Sequence, residues 1–170
     1  MIVLGLDAGL TIGFAVIDAD AARGTGRHIA SGVLPREEDP RETAARIDEV
    51  LGFYPGVELV AVELPARVLP RLARRNASAA HLVNATQIGG ELAGHLRARG
   101  YRVHTLDAND WRGPLGCLKG DAYVARAIRL RIPDWPARSP NHARDAAGAA
   151  LFVAMRETLP SPIRGSATGP

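Results

Sequence analysis

A chain of 170 residues with a net charge of +3 and a sequence pI of about 9.6 suits one domain with a core large enough to stand without cross-links. Its single cysteine, Cys117, excludes an intramolecular disulfide and a cysteine-rich metal site, and fits a reducing cytoplasm. The start, Met1 to Asp7, has no basic stretch and meets a charge too early for a signal peptide, and no apolar run has the length of a membrane span, so a cytoplasmic location with no membrane partner is expected.

The apolar run Ile2 to Leu6 predicts a buried strand. Gly9 to Gly13 marks a turn and Phe14 to Ile17 a second strand, together a hairpin. Arg27 to Leu34 follows a polar loop as a third strand. Pro40 opens a helical pattern in which Ala44, Ile47, Val50 and Leu51 share one face, closed by Gly52 and Pro55-Gly56. Val57 to Leu64, apolar except for Glu58 and Glu63, predicts a strand buried between layers. An arginine-rich entry, Arg67 to Arg75, leads into a long helix from about Ala77 to Arg99, stopped by Gly100. Tyr101 to Leu106 predicts a fifth strand, Asp107 to Trp111 a capped turn, and Asp121 to Arg131 a helix. Pro133, Pro136 and Pro140 break the chain into a loop before a last helix from Asn141 to about Glu157. Residues 159–170, rich in Ser, Gly and Pro, are expected to form a disordered tail, leaving 1–158 as the domain. The order β-β-β-α-β-α-β-α-α predicts the α/β class, with a mixed five-stranded sheet and helices on both faces.

Three elements carry acidic residues in places that invite chemistry. Asp7 closes the first strand, where an aspartate either caps a turn or serves a site. Glu63 sits inside an apolar strand, so it must be paired, metal-bound or protonated; a salt bridge to a nearby arginine and a functional role are equally compatible with it. His142 and Asp145 are three residues apart on one helix face, and the small residues from Ala146 to Ala150 let that helix approach a sheet closely. Taken singly, each has a structural explanation. Together, one carboxylate from each of two strands and a His/Asp pair from the last helix can converge on one site. Hard oxygen ligands with one imidazole suit Mg²⁺ or Mn²⁺, and two such ions can clamp the attacking and leaving oxygens of a phosphodiester.

These residues and their order resemble the RuvC-type Holliday junction resolvases of the ribonuclease H-like superfamily. Leu4 to Gly9 followed by Gly13 to Ile17 looks like the family's opening hairpin, and Val60 to Glu63 like its glutamate strand. Asn76 to Ala80 with Gly89 to Leu92 is similar to the entry to its long helix. His142 to Ala146 looks like its closing acidic motif, in the variant with histidine in place of the first aspartate. The resemblance runs from Ile2 to about Ala154. It implies a ribonuclease H-like fold and a homodimer that nicks opposing strands of a four-way or branched DNA junction by metal-activated water, leaving 5′-phosphate ends. A branch-migration helicase is a further partner it suggests. Asp7, Glu63, His142 and Asp145 would then be the ligands of two Mg²⁺ ions, with Mn²⁺ as a substitute. Lys119 and Arg112 fall where the family places basic residues near the scissile phosphate or the DNA backbone. Typical members carry an aromatic wedge three residues after the glutamate. Here that position is Ala66, after Pro65, which leaves Val68 or Leu69 as apolar substitutes; Ala8 also stands where proline is usual.

Of the 21 basic residues, 20 are arginine and one is Lys119. With abundant alanine this reads as coding bias, so Lys119 is either a position that arginine cannot fill or a chance survivor. Arg67, Arg71, Arg74 and Arg75 share a face if helical and, with Asn76 and Arg112, make the predicted DNA-binding surface, against the alternative of a solvated helix face. Trp111 reads first as core; His28, His81, His95 and His104 show no partner in sequence. Competing functions are a sugar-kinase or actin-like ATPase, for which the chain is short; a YqgF-type nuclease acting on RNA or other nucleic acid; and a non-catalytic, structure-specific DNA-binding protein of the same fold.

Overall fold

In the computed structural model, the described residues are 1–9, 11–35, 37, 39–65, 79–118 and 120–158. Strand β1 (Ile2–Ala8) turns back into β2 (Ile12–Asp20), which turns again into β3 (Thr25–Leu34). Helix α1 (Pro40–Phe53) returns the chain to β4 (Val57–Leu64), and α2 (Ala79–Ala98) carries it to β5 (Arg102–Asp107). Three more helices follow: α3 (Ala108–Arg112), α4 (Asp121–Arg131) and α5 (Asn141–Thr158). The sheet order is β3-β2-β1-β4-β5. β1–β2 and β2–β3 pair antiparallel; β1–β4 and β4–β5 pair parallel. This is the mixed five-stranded sheet expected from the element order.

Two cores lie on opposite faces of that sheet, as the two-residue period of the strands requires. Leu4, Leu6, Ala8, Val60 and Val62 pack against Ile47 and Leu51 of α1 and Ile88, Leu92 and Leu96 of α2. Val3, Ile17, Leu59 and Ala61 point the other way, into α5 and the shorter α3 and α4. Helix α1 starts as its sequence dictates: Asp39 caps it by accepting from the Arg41 amide at 2.8 Å, and Pro40 occupies the first turn. The early strands are longer than their apolar runs because backbone pairing in the β2–β3 ladder continues through polar residues as far as Asp20 and Thr25. The turn expected at 107–111 is a five-residue helix, α3, with Asp107 and Asp110 forming a reciprocal capping box.

Helix α5 comes unusually close to the sheet. A Cβ on Gly5 of β1 would fall inside the Ala146 backbone, and a Cβ on Gly13 of β2 inside that of His142. On the helix side, Ala143, Ala146, Ala147, Ala149 and Ala150 are fully buried. Glycine on the strands and alanine on the helix therefore set the depth at which α5 lies, and with it the position of whatever its first turns carry.

Candidate active site

Asp7 and Glu63 are register partners across the parallel pair β1–β4. Both lie at the C-terminal ends of their strands, and the alternation Val3-Gly5-Asp7 and Leu59-Ala61-Glu63 turns both toward the α5 face. That end of a parallel sheet is where open α/β folds place their sites. The close packing of α5 on Gly13, itself the partner of Asp7 across β1–β2, brings the first turn of α5 onto the same spot. His142 Nδ1 lies 2.6 Å from Asp7 Oδ2 as a hydrogen-bonded ion pair. Asp145, one turn further, accepts from Arg112 Nη2 through both carboxylate oxygens at 3.1 Å. Glu63 is buried and accepts from the Trp111 indole N–H at 2.9 Å through Oε2.

Each of the three carboxylates thus has one donor: an imidazole for Asp7, an indole for Glu63 and a guanidinium for Asp145. The donors do not cancel the crowding of negative charge. Burial, followed by the nearby Asp7 and Asp145, pushes the Glu63 carboxyl up to about 8, against a smaller lowering by the Trp111 bond and Arg112. Asp145 is raised to about 6, chiefly by burial, with Arg112 opposing it. His142 is raised, first by its bond to Asp7. A cluster of acids and one imidazole that holds protons near neutrality is the electrostatic mark of a site short of positive charge.

The donor chemistry fits a divalent ion: three carboxylates and one imidazole at one mouth. As placed, no three His, Cys, Asp or Glu side chains among the described residues already form a metal cage. In this arrangement Asp7 is paired with His142 and Asp145 with Arg112. A metal would replace the His142–Asp7 and Arg112–Asp145 pairings and would be held by Asp7, Glu63, His142 and Asp145.

Of the residues singled out from sequence, these four and Arg112 come together. Arg112 faces Asp145, and its buried Nε has no hydrogen-bond partner. Arg67, Arg71, Arg74, Arg75, Asn76 and Lys119 lie outside the described residues. Trp111 lies in the core, as read from sequence; what the sequence did not show is that its indole N–H reaches Glu63, the capped turn just before it being the one local signal that this side chain is held in a fixed place. Of the histidines without visible partners in sequence, three have them in space: His28 with Ser31, His95 with Asp48 and His104 with Glu157; the side chain of His81 lies outside the described ones.

No protein-family model matches the chain, and no curated protein matches it in sequence. Solved structures do. RuvC from Thermus thermophilus, in complex with a Holliday junction substrate, superposes with a TM-score of 0.68 at 22% identity, covering 92% of this chain and 95% of that one. The chain has the fold of RuvC. A fowlpox virus resolvase bound to Holliday junction DNA superposes with a TM-score of 0.59 at 11% identity, over 94% of this chain and 100% of the other. The yeast mitochondrial Holliday junction resolvase gives 0.57 at 10% identity, over 92% and 80%. The ribonuclease H-like architecture expected from the opening hairpin, the glutamate strand and the closing helix is therefore present, and the candidate site lies at the C-terminal strand ends of this RuvC-like sheet. No helix among the described residues is long and apolar enough to cross a membrane.

Proposed function

We propose that this protein is an endodeoxyribonuclease that resolves four-way or otherwise branched DNA junctions by hydrolysing phosphodiester bonds. One observation carries the reading: Asp7, Glu63, His142 and Asp145 converge at the strand ends of a fold whose solved relatives include RuvC in complex with a Holliday junction substrate. In the proposed reaction a water oxygen bonds to phosphorus, the bond to the 3′ oxygen breaks, and the products are a 5′-phosphate and a 3′-hydroxyl. Mg²⁺ or Mn²⁺, two ions per site, would supply the positive charge for the phosphoryl oxygens and activate the water.

The chain's own groups do the rest. In the metal-free site burial raises Glu63 to about 8 and Asp145 to about 6, so an ion bound there would displace their protons. Arg112, once released from Asp145, would meet a phosphate, as would Lys119 by its position in the family motif; Arg67, Arg71, Arg74, Arg75 and Asn76 would hold the DNA backbone. A two-fold dimer matches the symmetry of a four-way junction and pairs the two nicks.

The test is a Mg²⁺-dependent cleavage assay on a four-way junction, a fork, linear duplex and an RNA–DNA hybrid, with end-labelling of the products. Paired nicks with 5′-phosphate ends, fastest on the junction, are expected. Preferential cutting of the hybrid would transfer the protein to the RNA-acting nucleases, and tight junction binding without cleavage would make it a non-catalytic binder.

A further inference from the structure

Trp111 is a fully buried side chain, yet its polar atom is not turned to a backbone carbonyl. The indole N–H donates to Glu63 Oε2 at 2.9 Å, between groups 48 residues apart. Three features hold the ring there. The reciprocal cap of Asp107 and Asp110 fixes the start of α3. Gly148 of α5 makes room for the ring, since a Cβ at that position would collide with its Cζ3 edge. The Arg112 guanidinium lies over the ring, 5.3 Å from its centroid. Two consecutive residues of one short helix thus hold two different carboxylates of the site: Trp111 takes Glu63 and Arg112 takes Asp145.

The two donors differ in kind. A guanidinium brings a positive charge that competes with a metal for Asp145. An indole N–H is a neutral donor with no acceptor capacity, so it orients a carboxylate without neutralising it. A carboxylate oxygen offers two lone pairs, and the other oxygen offers two more, so the Trp111 bond can persist while Glu63 binds a cation. Resting on the nuclease reading above, we propose that Trp111 is a positioning residue for metal capture: its N–H holds the Glu63 carboxylate in one orientation, so that the cation meets a preset ligand. Partners that orient a metal ligand in this way are worth about ten- to a hundredfold in affinity.

The experiment uses the full chain, Trp111→Phe and Glu63→Gln. Phenylalanine keeps an aromatic ring in the core but removes the N–H together with the part of the indole that packs on Gly148, so the affinity is read beside the indole signal of the wild type. Two readouts are taken without DNA: the indole resonances in a ¹H–¹⁵N spectrum, and Mn²⁺ affinity from the electron spin resonance of the free ion. The signal missing in Trp111→Phe identifies Trp111. That signal is expected to move in Glu63→Gln and again on Mg²⁺ titration of the wild type, while the Trp135 signal stays. Mn²⁺ affinity is expected to fall at least about tenfold in Trp111→Phe at a temperature where it is folded. Wild-type Mn²⁺ affinity in folded Trp111→Phe, or an indole signal indifferent to both Glu63→Gln and Mg²⁺, would overturn the proposal while leaving the nuclease reading standing. A wild type that binds no Mn²⁺ would overturn the nuclease reading and this inference with it. Should Trp111→Phe not fold, Trp135→Phe assigns the two indole signals and the Mg²⁺ titration of the wild-type Trp111 signal decides.

Discussion

Replacing Glu63 with glutamine should stabilise the metal-free protein at alkaline pH and leave it almost unchanged in acid. Glutamine has the shape of a protonated glutamate, and its carbonyl can still accept the Trp111 N–H. The folded protein holds the Glu63 proton up to about pH 8, whereas an unfolded chain releases it near 4.5. Between those two values the folded state binds more protons, so stability falls as pH rises through the window. At about 1.36 kcal/mol per pH unit of displacement, the full cost of the charge above pH 8 has an upper limit of about 5 kcal/mol. Relaxation of the site around the charge reduces this to on the order of 2–4 kcal/mol. The assay is urea denaturation of wild type and Glu63→Gln in EDTA at pH 5, 7 and 9. The variant's advantage should be under about 1 kcal/mol at pH 5 and grow to the full amount at pH 9. Parallel stability curves across that range would refute the reasoning, because Glu63 would then carry its charge without penalty.

Divalent-ion binding should release protons, at least about one at pH 7, from Glu63 and from the His142 paired with Asp7, and affinity should rise between pH 6 and 8; calorimetry in buffers of different ionisation enthalpy measures the count, and a count of zero would contradict it. Gly13→Ala should cost roughly 3 kcal/mol or more, because a Cβ there meets the His142 backbone, and it should lower metal affinity as the first turn of α5 is lifted; denaturation and Mn²⁺ titration check both. Lys119→Arg should slow single-turnover cleavage at least roughly tenfold, about 1.4 kcal/mol, with junction affinity almost unchanged, because a guanidinium is larger than the ammonium it replaces; wild-type rates would leave Lys119 a surface cation.

Much of this site was legible in the chain because the relevant signals are periodic. Asp7 and Glu63 each end an apolar run, and strand alternation alone places both on one face once the strands are neighbours. His142 and Asp145 share a helix face by spacing. The depth of α5 is a different matter. It depends on Gly5 and Gly13 meeting Ala146 and His142, contacts between segments over 120 residues apart that leave no local pattern. The role of Trp111 was hidden for the same reason: a buried tryptophan beside an apolar loop reads as core, and its acceptor lies 48 residues away. Helix α3, at five residues, is too short to show a period. The pairing of Arg112 with Asp145 joins residues 33 apart and was equally invisible in the sequence, where Arg112 is placed only by its position in the motif.

Asp7, Glu63, His142 and Asp145 are proposed to carry out phosphodiester hydrolysis on branched DNA. This role is tested most directly by cleavage of a four-way junction in Mg²⁺ by wild type and Asp7→Asn, with junction affinity measured alongside. The variant removes the charge that pairs with His142 and stands opposite Glu63, so cleavage should be lost while the junction is still bound. Full turnover by Asp7→Asn would contradict it.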